Sequence, residues 1–271
     1  MFLRILLLTA AILAVGVTPV LAQDDPPKAE VENEPEVQID ITKEKTDGIQ
    51  IAESAIIVYS GLRGRLGLDQ VRKTTVEIGK TTYFQPDGSK RNADYTMRII
   101  RGESFGEEKI RLDQRFPNAE YAMVFDGGKV FGVISNTVFS PRDDAVREFN
   151  SRIVHSIDAL LRYKENESEV ELKESTKKMG VDYYVVVMTD KDGRETTYFV
   201  SKKYLRVMIL EYEADGVEYQ RRFYDHNYAQ GTLVPYRTVL KADGKVIEET
   251  DIATVTFGQQ VEESWFVFNE A

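Results

Sequence analysis

Strand-like alternation dominates the chain from Thr74 onward. In Tyr95-Thr-Met-Arg-Ile99 apolar and polar side chains take turns, the period-two pattern of a strand with one dry face and one wet face. Val181–Met188 departs from it. Tyr183, Val185 and Val187 lie on one face and Tyr184, Val186 and Met188 on the other, so this strand must be covered on both sides or line an apolar cavity. Comparable runs start near Thr74, Asp94, Glu107, Tyr121, Lys129, Glu167, Val181, Glu195, Arg206, Val217, Leu233 and Lys245. Between them lie Asp87-Gly88, Asp126-Gly127, Asp192-Gly193, Asp215-Gly216 and Asp243-Gly244, which supply hairpin turns because Asp and Gly tolerate positive φ. The pattern predicts a meander of about a dozen antiparallel strands, too many for a small open sheet without strong curling.

Helical periodicity occurs in two places. From Ile49, residues Ala52, Ala55, Ile56, Tyr59 and Leu62 share one face, and Leu66 to Arg72 predicts a second short helix. In mid-chain, Ser140-Pro-Arg-Asp143 reads as a capping start with Pro at the first helical position. Val146, Phe149, Ile153, Ile157, Leu160 and Leu161 then form one apolar stripe, predicting a single amphipathic helix that ends near Tyr163. A curved sheet with helices on its concave side satisfies both patterns. The closing hairpin around Asp243-Gly244 is expected to be the last edge of that sheet, with Trp265 and Phe266 sealing its rim.

The N-terminus has a different character. Arg4, the apolar run Ile5–Val17 and Pro19-Val-Leu-Ala22 have the order of a cleavable export signal, and the apolar run is shorter than the ~20 residues of a spanning helix. Asp24 to Asp47 is acidic, Pro-containing and without apolar periodicity, which predicts a disordered spacer. The expected organisation is a signal peptide over 1–22, an acidic linker over 23–47 and one β-rich domain over 48–271. Cysteine is absent, so disulfides, thiolate metal sites and a lipid-anchoring cysteine are excluded. The formal charge of −10, with no basic run longer than two residues, argues against nucleic acid. Export without disulfides points to a bacterial periplasm and a soluble mature protein.

Helices first, a meander of hairpins, one middle helix and a closing hairpin: this order resembles the periplasmic lipoprotein-sorting family, the LolA/LolB-like proteins, in a divergent bacterial form. The resemblance runs from about Ile49 to the C-terminus. It rests on Ala159-Leu-Leu-Arg-Tyr163, Asp182-Tyr-Tyr-Val-Val-Val-Met188, Thr196–Leu205, Val207–Tyr212, Val234-Pro-Tyr-Arg237, Asp243-Gly-Lys245 and Ser264-Trp-Phe266. It implies a mainly β (α+β) fold, an incomplete antiparallel β-barrel or half-pipe of roughly 11–12 strands with a helical lid on the concave face. It also implies a cavity that holds the acyl chains of a lipid or lipoprotein. The long acidic linker, the polar stretch Lys164–Lys178 and the missing lipidation cysteine depart from the family, and the last excludes its membrane-anchored receptor type.

Candidate cavity residues are Tyr95, Met97, Ile99, Met123, Phe125, Phe131, Val133, Tyr184, Val186 and Met188, most of which are expected to be ordinary core beneath the helices. Val146, Phe149, Ile153, Ile157 and Leu160 are the lid-helix candidates. Adaptable Met and planar aromatic side chains suit variable chains. Catalytic, metal and cofactor sites are not expected. His155 and His226 are the only histidines and form no metal-ligand spacing. Ser175-Thr-Lys-Lys178 matches a Ser-x-x-Lys pattern without its partner motifs, and Asp190-Lys-Asp-Gly193 lacks the later ligands of a calcium loop. The expected function is a non-enzymatic periplasmic carrier for a lipid or lipoprotein. The alternative is an envelope sensor on the same fold that binds lipid or lipoprotein and a membrane-protein partner.

Overall fold

The structure is a computed structural model that describes residues 47–135 and 137–267. The expected export signal over 1–22 and the expected linker up to residue 46 lie outside the described residues. Asp47, the last linker residue in the sequence reading, caps α1 (Gly48–Tyr59): its carboxylate accepts from Gln50 N at 2.8 Å, and the Gln50 side chain accepts from Asp47 N at 3.3 Å. Such a box contributes about 1 kcal/mol. α2 (Gly64–Val71) follows directly.

Among the described residues, thirteen strands form one antiparallel sheet. The first six are β1 (Thr74–Phe84), β2 (Lys90–Ile100), β3 (Lys109–Phe116), β4 (Ala119–Asp126), β5 (Lys129–Ile134) and β6 (Thr137–Phe139). The rest are β7 (Glu169–Lys178), β8 (Val181–Thr189), β9 (Glu195–Ser201), β10 (Val207–Ala214), β11 (Val217–Ala229), β12 (Thr232–Ala242) and β13 (Lys245–Phe257). The spatial order is β6-β5-β4-β3-β2-β1-β13-β12-β11-β10-β9-β8-β7. The chain lays down β1 to β6 outward, crosses through helices to the far edge, and returns until β13 pairs with β1 from Thr75↔Phe257 to Tyr83↔Glu248. The sheet is therefore an open half-barrel with β6 and β7 as its edges. β7 protects its edge with charge (Glu171, Lys173, Glu174, Lys177) and a register shift between Lys173 and Thr176.

The closing hairpin is a correction. β13 is central rather than terminal, because hairpin chemistry specifies only the β12–β13 pairing and leaves β13's other edge to the long-range match with β1. The segment after it crosses the outer face instead of sealing a rim. Phe266 is wholly buried there with Ala122, Val124, Val133 and Val261, while Trp265 lies under the Arg98 guanidinium at 4.6 Å.

The mid-chain helix is a second correction. It is two helices, α3 (Asp143–Val154) and α4 (Ile157–Leu161), and α3 begins after Ser140 and Pro141 with no side-chain cap. The break is fixed from the sheet. His155 stacks on Tyr212 with ring centroids 3.8 Å apart and its Nδ1 lies 2.7 Å from Thr196 Oγ1. Tyr198 donates to the Ser156 carbonyl at 2.9 Å, and Ser156 Oγ accepts from Ala159 N, restarting the helix. The doubly apolar β8 is covered on both faces. α1 packs on its Val186 and Met188 side, whereas Tyr183 and Val185 pack with Phe199, Ile209 and Met208, and the Lys178 ammonium sits 3.6 Å from the Phe199 ring centre.

Candidate functional site

Two apolar clusters occupy the concave face. One joins Tyr95, Ile99, Ile110, Leu112, Met123 and Phe125 of β2–β4 to Phe149 of α3. The other joins Ile51, Ala52, Ala55, Ile56 and Tyr59 of α1 and Ile157, Leu160 and Leu161 of α4 to Val186, Met188, Tyr198, Leu210 and Phe223 of the sheet. Fully burying one such Ile or Leu contributes about 1.5–3 kcal/mol, so each cluster anchors its helix. Where the clusters fail to meet there is a cavity of about 250 Å³. Its apolar walls are Met97, Ile99, Ile110, Leu112, Phe149 and Ile153 on one side and Met188, Phe223 and Val234 on the other.

A glycine makes this wall. Gly79 stands opposite Tyr95 on the neighbouring strand, and a Cβ there would meet the Tyr95 ring at 2.8 Å and the Asp251 carbonyl at 2.3 Å. The Tyr95 ring thus lies across β1, and its hydroxyl donates to Glu77 Oε1 at 2.7 Å. Burial pushes the Glu77 carboxyl above its usual range, although the Tyr95 hydrogen bond opposes the shift. Tyr95 is itself held neutral, first by burial and then by the charge of Glu77.

The remaining wall is charged. Asp158 of α4 is gripped by Arg72 at 2.6 Å and by Arg101, which also reaches Glu108 at 3.1 Å. Arg72 donates further to the Leu233 carbonyl at 2.8 Å, and Glu108 is shared with Arg162. Burial alone would raise the Asp158 carboxyl; the two guanidiniums outweigh it and hold the group far below the carboxylate range. Across the cavity, Arg152 of α3 pairs with Glu248 of β13. Arg221 of β11 also lines the cavity, with no ion-pair or side-chain hydrogen-bond partner among the described residues.

The sequence candidates divide accordingly. Tyr95, Met97, Ile99 and Met188 line the cavity, as do Phe149, Ile153 and Ile157 of the lid. Met123 and Phe125 lie in the β2–β4 cluster, and Tyr184 and Val186 lie under α1. Leu160 is fully buried beside them, and Val146 is half-buried on α3. Phe131 and Val133 are on the opposite face: paired across from Val124 and Ala122, they pack against the C-terminal segment. That placement corrects the sequence candidate set, which fixed the alternation of β5 but not which face turned inward.

The charged groups Glu77, Arg152, Asp158, Arg221 and Glu248 were missed. Arg221 had a readable signal, since it shares a strand face with Tyr219 and Phe223 and so puts a charge at an apolar position. The discounted motifs sit elsewhere. Ser175 is exposed on edge strand β7, and in a hairpin turn Asp190 Oδ1 accepts from Asp192 N and Arg194 N, both at 2.9 Å, while its Oδ2 accepts from Arg194 Nε at 2.6 Å. Among the described residues no group of His, Cys, Asp or Glu has the geometry of a metal site, and no helix is long and apolar enough to cross a membrane.

No protein-family model matches the sequence, and no curated protein does. Solved structures do match in shape. A DUF1329 family protein from Desulfovibrio piger superposes with a TM-score of 0.58 at 12% identity, covering 82% of this chain and 98% of that one. A LolA superfamily protein from Nitrosomonas europaea gives 0.57 at 13% identity, covering 82% and 98%. A domain named for outer membrane lipoprotein sorting, from Vibrio parahaemolyticus, gives 0.51 at 13%, covering 81% and 95%. The resemblance read from the sequence therefore holds at the level of architecture: the chain has the half-barrel fold of LolA superfamily structures.

Proposed function

We propose that this protein is a non-enzymatic periplasmic carrier that holds the acyl chain of a lipid or lipoprotein in its concave cavity. The observation that carries the reading is the cavity of about 250 Å³ between α3 and the sheet, walled by flexible Met97 and Met188 and by Ile99, Ile110, Leu112 and Phe149. The space is of a size to take part of an alkyl chain. Each methylene buried there supplies ~0.8 kcal/mol, set against the cost of immobilising the chain. An export signal and the fold of lipoprotein-sorting structures support the same reading.

The test is native mass spectrometry of protein purified from a periplasmic extract, together with displacement of a fluorescent acyl probe. A bound lipid mass, and probe binding lost in Met97→Arg, are expected. A protein that carries no lipid and takes up no probe overturns the reading.

A further inference from the structure

Five of the six cations that line the cavity are accounted for. Arg72 and Arg101 hold Asp158, Arg152 holds Glu248, Arg194 holds Asp190, and Lys191 lies in an exposed turn. Arg221 is the exception. It is 8% exposed, its Nε is sealed from solvent without an acceptor, and its side chain makes no hydrogen bond or ion pair among the described residues. Glu248 stands in the same cross-strand row, separated from Arg221 by Leu240, but its carboxylate is taken by Arg152 from α3. Glu148 of α3 is the other nearby carboxylate, and it is exposed and outside ion-pair distance.

A guanidinium stays charged at neutral pH, and leaving one buried without an anion is costly. Burial is the main influence that lowers its basicity. Its planar donor fork matches carboxylate or phosphate oxygens. The wall opposite is apolar: Met97, Ile99, Phe149 and Ile153.

We propose that the cavity binds a single-chain amphiphile by its anionic end, with Arg221 as the anion-binding group and the Met97–Phe149 wall receiving the chain. This rests on the carrier reading and narrows its ligand to an acid. The shared chemistry is an anionic oxygen group on an alkyl chain, whether a fatty carboxylate or a phosphate monoester.

Isothermal titration of the delipidated protein with dodecanoate, dodecyl phosphate and dodecanol tests it. At least one acid should bind roughly 10- to 100-fold more tightly than the alcohol, the worth of a charge-assisted hydrogen bond. Which acid is preferred distinguishes the two sources. Arg221→Met should abolish the difference by weakening the acids, and Arg221→Lys should retain part of it. Arg221→Met removes an unpaired buried charge, so its thermal melt should not fall. Equal binding of acids and alcohol by the unaltered protein, or a preference that survives Arg221→Met, overturns the inference and leaves the carrier reading intact. If none of the three enters, the carrier reading fails and the inference fails with it.

Discussion

Mild acid should destabilise this protein through its histidines. His155 is 4% exposed, stacked on Tyr212 and set against Thr196 Oγ1, and burial followed by the nearby Arg194 and Arg221 lowers its pKa from 6.5 to about 4. The folded state therefore keeps the ring neutral over a range in which the unfolded chain takes up a proton. Stability is unaffected above the unfolded value of 6.5, is lost as pH falls from there toward about 4, and then levels off. The whole shift corresponds to roughly 3 kcal/mol, of which about 2 kcal/mol should be gone between pH 7 and pH 5. His226, whose pKa burial also lowers to about 4, acts in the same direction.

Urea unfolding at the two pH values measures the loss. The comparison that matters is its size in His155→Gln, which can keep a hydrogen bond to Thr196 but cannot titrate. Glu77, whose carboxyl burial raises, works in the opposite sense and is common to both proteins, so it cancels in the difference. The variant should lose about 2 kcal/mol less than the parent over that interval. An unchanged pH dependence would refute the argument, whatever the variant's absolute stability.

Three further outcomes follow from the same structure. Gly79→Ala should cost about 1–3 kcal/mol in a thermal or urea melt, because its Cβ meets the Tyr95 ring at 2.8 Å and a strand carbonyl at 2.3 Å. Asp158→Asn should cost about 1–3 kcal/mol by leaving Arg72 without a carboxylate and Arg101 with Glu108 alone; since the Asp158 pKa is depressed, its contribution is present above 3.8 and disappears only as pH falls toward the lower folded value, which urea melts along an acid series would trace. Gly48→Ala should loosen α1 from β7, as its Cβ would lie 2.8 Å from the Glu171 carbonyl carbon, and faster amide exchange across residues 48–59 would report it.

What the sequence reveals and conceals divides along physical lines. Local hairpin chemistry is written in adjacent residues, so twelve strand starts are legible, and only β6 escapes because Thr137–Phe139 is too short to show alternation. The apolar stripe from Val146 to Leu161 is legible as well. The break inside it is not, because Tyr198, Thr196 and Tyr212 impose it from strands that lie decades of residues later. The position of β13 is concealed for the same reason, since its partner β1 is distant in the chain.

The buried charges are concealed for a different reason. Alternation identifies a face by hydrophobicity, so a charge on a strand is assigned to water by default. On β5 that rule gave Phe131 and Val133 to one face correctly, yet it could not say that this face pointed outward. On β11 it failed at Arg221, where the neighbours Tyr219 and Phe223 mark the inner face and the charge goes with them. A fold that buries Arg72, Arg101, Arg152 and Arg162 pairs each with a carboxylate, because an unpaired internal charge is expensive. Arg221 sits among them on the cavity wall without one. Its partner is most economically supplied from outside the chain, and this single residue makes the cavity's chemistry more specific than its apolar lining alone.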